Sequence, residues 1–151
     1  MSKFIKGDDE LIKKLQSLKD EAGKHIAKAV EAGATQLTGI IKTSLQKESQ
    51  HGRTYRRGQK YHVASAPGET PAIDYGHLLN SVTARLIEVN KDSATAEVGT
   101  NSEAAEPLEY GTSRMAARPF MRPAVDEHGD EIIDVVTKKI KKSIDDATKK
   151  P

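Results

Sequence analysis

The sequence of 151 residues contains no cysteine and no tryptophan, and only 4% of its residues are aromatic. Without cysteine there is no disulfide bond, no thiol nucleophile and no thiolate metal ligand, which fits a reducing compartment. Because large aromatic side chains dominate the buried area of many cores, we expect a modest, mainly aliphatic core. The length suits one ordinary domain, and we predict a single domain over residues 1–151.

Long hydrophobic runs and a strong charge of one sign are also missing. No stretch approaches the roughly 20 apolar residues of a membrane span, and the first residues lack the apolar run of a signal peptide. We therefore expect a soluble chain that is not exported. The formal net charge of +2 is too small to predict nucleic-acid binding by the chain as a whole. Any such function must depend on a local patch.

Motifs typical of enzymes and metal sites are not found either. The histidines share no spacing that would place two metal ligands on one helix face. They are His25, His51, His62, His77 and His128. No G-x-S-x-G turn accompanies the serines, and the glycines around Lys60 fail the spacing of a phosphate-binding loop. A hydrolase has no supporting constellation, and we predict no metal or cofactor.

Apolar residues at steps of three and four predict a long helix from Asp8 to about Lys47. Asp8, Asp9 and Glu10 supply an N-cap candidate and negative charge in the first turn. About forty residues at ~1.5 Å each would span about 60 Å, so we expect part of the helix to project or to bind a partner. Glycine weakens a helix by about 1 kcal/mol relative to alanine, and we expect a bend or break near one of three glycines. These are Gly23, Gly33 and Gly39.

A second helix is predicted to begin at Met121 or Pro123 and to end in a frayed lysine-rich tail. Its first half is acidic and its second half is rich in lysine, the order that complements the helix dipole. One side of this helix carries apolar residues. They are Val125, Ile132, Val136, Ile140 and Ile144.

Alternating apolar and polar residues on either side of the polar turn Asn90–Ser93 predict a β-hairpin with one buried face. Its inward residues are Val82, Ala84, Leu86, Ala94, Ala96 and Val98. Residues 49–76 lose the helical period and are rich in glycine and proline, so we predict a long mobile loop there. A short helix that Gly111 ends precedes an irregular segment with two prolines. The fold class is therefore α+β, with a long N-terminal helix and a C-terminal helix packed on a small antiparallel sheet.

The segment Gln50–Gly68 combines cations and tyrosines and contains no acidic residue. Its candidate contact residues are Arg53, Tyr55, Arg56, Arg57, Lys60 and Tyr61. A flexible basic segment with aromatic residues can contact phosphates and stack on bases, so contact with DNA or with a partner is one hypothesis. The other interpretation is a solvated loop, or one that orders against an acidic protein surface.

The segments "HVASAPGETPAIDYGHLLNSV", "AEVGT" and "LEYGTSRMAARPFMRPAV" resemble, in order and approximate spacing, the tail-completion or head-to-tail joining proteins of long-tailed double-stranded DNA phages, a minor tail-component family. The resemblance runs from about His62 to Val125. The matching positions are Ser65, Pro67, Gly68, Pro71, Gly76, Leu78, Gly99, Glu109, Tyr110, Gly111, Thr112, Arg118, Pro119, Phe120 and Pro123.

The resemblance implies a small α+β subunit without enzymatic activity, which forms a ring, expected to be six-fold, in the virion neck. The implied partners are the head connector or adaptor protein and the tail-tube or tail-terminator protein, with DNA passing through the lumen. Before assembly the subunit would be in the host cytoplasm. The alternative function is a small nucleic-acid-binding protein that uses the basic segment 50–62.

The motif around Phe120 has two physical interpretations. In the first, the motif stabilises the fold. Gly111 takes a positive φ, Pro119 restricts the backbone before Phe120, and the ring of Phe120 packs against the sheet just before the last helix. In the second, arginines line a subunit interface, where they can pair with carboxylates. These are Arg114, Arg118 and Arg122. The two interpretations are compatible.

Overall fold

The computed structural model describes residues 8–47 and 50–149. Its elements in chain order are α1 (Asp8–Gln46), β1 (Thr54–Arg57), β2 (Lys60–Val63), α2 (His77–Ser81), β3 (Val82–Val89), β4 (Ala94–Thr100), α3 (Ala105–Tyr110) and α4 (Arg122–Lys149). The α+β class with long first and last helices is confirmed, although the strands form two separate two-stranded sheets. The side chains that would form the predicted N-cap, Asp8–Glu10, lie outside the described part of the chain.

α1 and α4 pack against each other, and α1 also packs on β3 and β4. We predicted a bend or a break near one of the glycines, and the break does not occur, since α1 is continuous over Asp8–Gln46. Two of its glycines allow close packing. A Cβ on Gly23 would clash with the carbonyl oxygen of Asn90, and one on Gly33 would lie 2.6 Å from a methyl group of Val136. Tertiary packing therefore offsets the low helix propensity of these two glycines.

β3 and β4 form the predicted hairpin, with Ala84 opposite Val98 and Leu86 opposite Ala96. The predicted inward residues Val82, Ala84, Leu86, Ala94 and Ala96 are less exposed than their neighbours, and Val82 is fully buried, whereas the end of β4 from Val98 to Thr100 is half-buried throughout. A register shift between Leu86 and Glu88 leaves Ile87 as an extra residue on the exposed side. Such a bulge bends and twists its strand.

The long loop predicted over residues 49–76 contains regular structure in its described part. β1 and β2 form an antiparallel hairpin in which Tyr55 pairs with His62 and Arg56 with Tyr61. The two-residue turn begins at Gly58, whose φ of 59° suits the first position of a tight hairpin turn. Since each strand has only four residues and β1 is exposed throughout, the hairpin has no buried face that alternation could reveal.

The main core lies where the C-terminal half of α1 meets β3, α3 and the start of α4. Its buried residues are Ile41, Leu45, Val82, Ala105, Phe120 and Ala124. Phe120 is the largest of them, and the others are aliphatic. α3 ends at Gly111, as predicted, with a φ of 77°. α4 continues to Lys149, and the last two residues of the tail predicted to fray lie outside the described residues. None of the helices described in 8–47 and 50–149 is long and apolar enough to cross a membrane.

Candidate functional site

The carboxylate of Glu109 fastens the end of α3 to the beginning of α4. It accepts the backbone N–H groups of Phe120 at 2.8 Å, Met121 at 3.0 Å and Arg122 at 2.8 Å. The first N–H groups of a helix have no partner within the helix, and the helix dipole favours a negative charge there. Glu109 is therefore an N-terminal cap supplied by a different helix.

The chain between these helices makes a tight bend around Gly111. The N–H of Gly111 donates to the carbonyl of Pro107 at 2.9 Å, and Thr112 and Met115 form an isolated bridge. A Cβ on Gly111 would lie 2.9 Å from the backbone nitrogen of Ala117. Both the positive φ and this close approach favour glycine.

Phe120 and Arg118 turn into the molecule from the same short segment. Phe120 is 1% exposed and packs in the core with Ile41 and Val82. The N–H of Arg118 donates to the carbonyl of Leu108 at 2.6 Å, and its Nε donates to the carbonyl of Ser65 at 3.1 Å. This segment therefore attaches both α3 and the loop before α2 to the core.

The three arginines predicted for a subunit interface are not equivalent. Arg118 is half-buried and hydrogen-bonds within the chain. Arg122 is exposed, and its guanidinium lies 5.7 Å from the ring centre of the exposed Tyr110. Arg114 is exposed in the bend. An interface role remains a prediction, and only Arg114 and Arg122 present their side chains outward for it.

Most of the motif residues that precede α3 in the chain lie in the segment between β2 and α2. The N–H of Gly68 donates to the carbonyl of Ala117 at 3.0 Å, which joins this segment to the Phe120 loop. Pro67 is exposed beside it, whereas Pro71 is buried. Gly76 has a φ of 78° where α2 begins. Gly99 lies apart from them in β4, opposite Thr83.

Glu69 closes the base of the β1–β2 hairpin. Its carboxylate accepts the N–H of Ala66 at 2.6 Å and that of His51 at 3.2 Å, and it lies 2.6 Å from Nδ1 of His51. The Ala66 N–H, and then the side chain of His51, lower the pKa of Glu69 below its ordinary value. The carboxylate holds the two ends of the hairpin together.

Arg57 attaches the hairpin to the segment before α2. Its guanidinium lies 2.7 Å from the carboxylate of Asp74 and stands near the rings of Tyr55 and Tyr75, at 5.5 and 5.8 Å from their centres. Tyr55 and then Asp74 raise the pKa of Arg57 above its ordinary value. A cavity of about 480 Å³ lies behind this contact, lined by Tyr55, His62 and Pro71 among others.

The remaining basic residues of the hairpin are exposed. Arg56 donates from Nε to the carbonyl of Gly58 at 2.9 Å, and Arg53 and Lys60 are exposed. Tyr61 is 77% exposed. Within the described residues, no group of three or more His, Cys, Asp or Glu side chains could hold a metal ion. The arrangement provides exposed basic and aromatic contact surfaces.

Sequence reasoning selected the motif residues but missed two features that arrange them. It placed Glu109 in the motif without its capping role, and it missed the β1–β2 hairpin. The signal for the hairpin was present in the Gly58–Gln59 turn between two Tyr-containing runs.

A family model described as "Bacteriophage HK97-gp10, putative tail-component" matches residues 9–111. The match begins near the start of α1 and ends at the glycine that terminates α3, so it includes Glu109 but not Phe120. Comparisons with curated proteins and with solved structures gave no significant match.

Proposed function

Because the chain belongs to the HK97-gp10-like family of phage tail components, we propose that it forms a ring that joins the head connector to the tail tube. The family assignment identifies a structural protein of the phage and confirms the resemblance drawn from the motifs. Our proposal goes beyond the family assignment in three respects, namely the position in the virion neck, the ring and the two partner proteins. It includes no catalytic step.

The observation that carries the proposal is the number of large apolar side chains left exposed on different elements. Half or more of the surface remains exposed for Ile12 and Leu15 on α1, Ile87 on β3, and Ile133 and Ile144 on α4. Ile12 and Leu15 are three residues apart and therefore share one face of α1, and grouped apolar side chains of this kind favour a surface that binds another protein.

The long helix supports the same proposal. At 1.5 Å per residue, the 39 residues of α1 extend over about 58 Å, well beyond the small core near its C-terminal end. Isolated helical segments gain little stability from propensity alone, and amphipathic packing normally stabilises them. A neighbouring subunit would provide such packing for the exposed Ile12 and Leu15.

A ring also requires each copy to present two different surfaces that fit each other. Such heterologous contacts close when the rotation between copies closes, and otherwise they produce filaments. The tail tube and connector would limit the assembly to a ring by binding its two faces. We expect six copies, as the family resemblance implies.

The alternative function, nucleic-acid binding through residues 50–62, gains less support from the geometry. Arg57, one of its four cations, is already paired with Asp74. Three remaining charges would give weak binding at physiological salt. Contact with DNA in the lumen remains a secondary proposal.

Co-expression with the head connector and tail-tube proteins of the same phage tests the ring directly. We expect ring-shaped particles in negative-stain images and, by native mass spectrometry, a multiple of the 16.5 kDa chain. A monomer in isolation would not decide the matter, because assembly can require a partner. Failure to bind either partner, or purified necks that lack this polypeptide, would contradict the proposal.

A further inference from the structure

We infer that the β1–β2 hairpin of one copy docks on the acidic half of α4 of the next copy and so closes the ring. This inference rests on the proposed function, whose subunit contact it specifies. The basic arm is the exposed part of the hairpin, with Arg56 and Tyr61 on the face turned away from Asp74 and with Arg53, just before β1, and Lys60, at the start of β2, exposed at its ends. The acidic patch is the surface formed by Asp126, Asp130, Ile133 and Asp134.

The basic arm has an exposed aromatic side chain beside cations. Arg56 and Tyr61 are register partners, so their side chains stand on one face of the hairpin. Tyr61 is 77% exposed, the largest exposed fraction among the large apolar and aromatic side chains described. Arg53, Arg56 and Lys60 form no ion pair with any residue described in 8–47 and 50–149. Their charges are thus available to a partner.

The hairpin is nevertheless held in place, so the arm does not have to be ordered on binding. The Arg57 contact with Asp74 fixes one face, and Glu69 closes the base. An aromatic anchor on a fixed element loses less conformational entropy on association than one on a flexible loop. This arrangement favours a specific docking element over a solvated loop.

The acidic patch shows the complementary composition. Asp126, Asp130 and Asp134 follow at intervals of four residues and form one row along α4, and all three are exposed. Ile133, three residues after Asp130, is 63% exposed. No lysine or arginine occurs between residues 123 and 137. The three aspartates form no ion pair within the described chain, whereas nearby Glu131 is occupied by Gln36 and His128.

The two surfaces fit each other in charge and in apolar content. An exposed tyrosine next to cations meets an exposed isoleucine next to carboxylates, the arrangement of an apolar anchor with a charged rim. A second copy of this chain accounts for both surfaces at once. DNA would account only for the basic arm, and its phosphates would be repelled by the acidic patch. Because the surfaces differ, the contact is heterologous and can close a ring.

Disulfide trapping tests the contact sharply, since the natural chain has no cysteine. Full-length Tyr61→Cys and Ile133→Cys chains carrying tags of different size are mixed with the connector and oxidised. A disulfide forms only when the two Cα atoms come within about 7 Å, so it reports the pairing directly. We expect a mixed dimer on a non-reducing gel and a ladder up to the ring number from the double variant. The matched control pairs Tyr61→Cys with Ile87→Cys, which is 59% exposed, and should give no comparable band.

Charge reversal provides a second measurement that does not depend on oxidation. Arg56→Glu with Lys60→Glu should weaken association of copies by about tenfold or more. Adding Asp126→Lys with Asp130→Lys on the partner copy should restore it. Since all four side chains are exposed, the circular dichroism of each variant should match that of the natural chain. We expect only small losses in the urea midpoint, because Arg56→Glu removes the hydrogen bond to Gly58 and because lysine opposes the helix dipole near the start of α4.

The outcomes separate this inference from the proposed function. If rings form but the disulfide between Tyr61→Cys and Ile133→Cys does not, the inferred contact is wrong, while the proposal that the chain forms a ring still holds. Absence of any ring with connector and tail-tube proteins would overturn both. DNA binding that disappears in Arg56→Glu, together with no mixed dimer, would assign the basic arm to DNA and would also overturn the inference.

Discussion

Glu109 shows how a single side chain can hold two distant parts of the motif together. Its carboxylate accepts three backbone N–H groups at the start of α4. We predict that Glu109→Ala lowers the free energy of unfolding by about 2 kcal/mol, because these donors lose a charged acceptor in a half-buried position. Urea denaturation monitored by circular dichroism measures the change.

Two comparisons distinguish this role from a general loss of charge. Glu109→Gln retains a carbonyl acceptor and should lose less stability than Glu109→Ala. Glu106→Ala removes an exposed carboxylate from the same short helix and should change stability by at most about 0.5 kcal/mol. Equal urea midpoints for the Glu106→Ala and Glu109→Ala chains would show that the cap is unimportant.

Glu69 gives the structure a defined sensitivity to acid. The Ala66 N–H and His51 lower its pKa below the ordinary value of 4.5, so the folded state favours the carboxylate. Its contribution to stability is complete above that ordinary value and is lost as the pH falls through the lowered pKa. We predict that the unfolding midpoint of the natural chain falls more steeply below about pH 4.5 than that of Glu69→Gln. Parallel curves for the two chains would exclude this contribution.

The capping role of Glu109 could not have been read from local sequence. A capping box joins residues three apart, whereas Glu109 reaches the N–H groups of residues 120–122 across a bend. The geometry depends on Gly111 and on the packing of Phe120, which only the folded chain specifies. The burial of Phe120 was easier to predict, because an isolated aromatic residue between two prolines needs an apolar site.

Among the helices, α1 contains two glycines at which we expect alanine to have opposite effects on stability. Gly23 is buried, and a Cβ there would clash with the Asn90 carbonyl in the β3–β4 turn. A Cβ on Gly39 would instead have no neighbour within 4 Å among the described residues beyond its own stretch of helix. We predict that Gly23→Ala lowers the free energy of unfolding by about 2 kcal/mol through this backbone clash. Gly39→Ala should raise it by about 0.5 to 1 kcal/mol through helix propensity.

Thermal and urea unfolding of these two variants provide the measurement, and each is the other's control in one helix. A gain in stability for both would mean that the turn does not pack against α1 at Gly23. Losses for both would mean that Gly39 has a neighbour in solution, such as another subunit.

The same helix illustrates how far periodicity predicts secondary structure. The 3.6-residue period gave the extents of α1 and α4, and strand alternation gave β3 and β4, because each of these elements has one face against the core. The β1–β2 hairpin has no such face, since its support comes from Arg57, Glu69 and the neighbouring loop. Similarly, the sequence alone does not tell whether each of the three glycines only weakens α1 or allows another part of the chain to pack closely against it.

Across the chain, basic and acidic residues are concentrated in different segments, although the net charge of the whole chain is small. Four cations without an acidic residue lie in 50–68, and five acidic residues without a cation lie in 124–136. If these surfaces bind each other in the ring, association should weaken as salt screens them. We predict a loss of assembly between about 50 and about 500 mM NaCl in sedimentation velocity with the connector present.

Association through apolar surfaces would respond to salt in the opposite direction. The groove between α1 and α4 is apolar, lined by Ile26, Ile140 and Ile144. If copies associated through such a surface, sulfate would strengthen assembly and NaCl would have little effect, because excluded salts favour apolar burial. Assembly that survives high NaCl and increases in sulfate would therefore locate the subunit contact at apolar surfaces. Weakening by NaCl that disappears in the Arg56→Glu, Lys60→Glu chain would locate it at the hairpin.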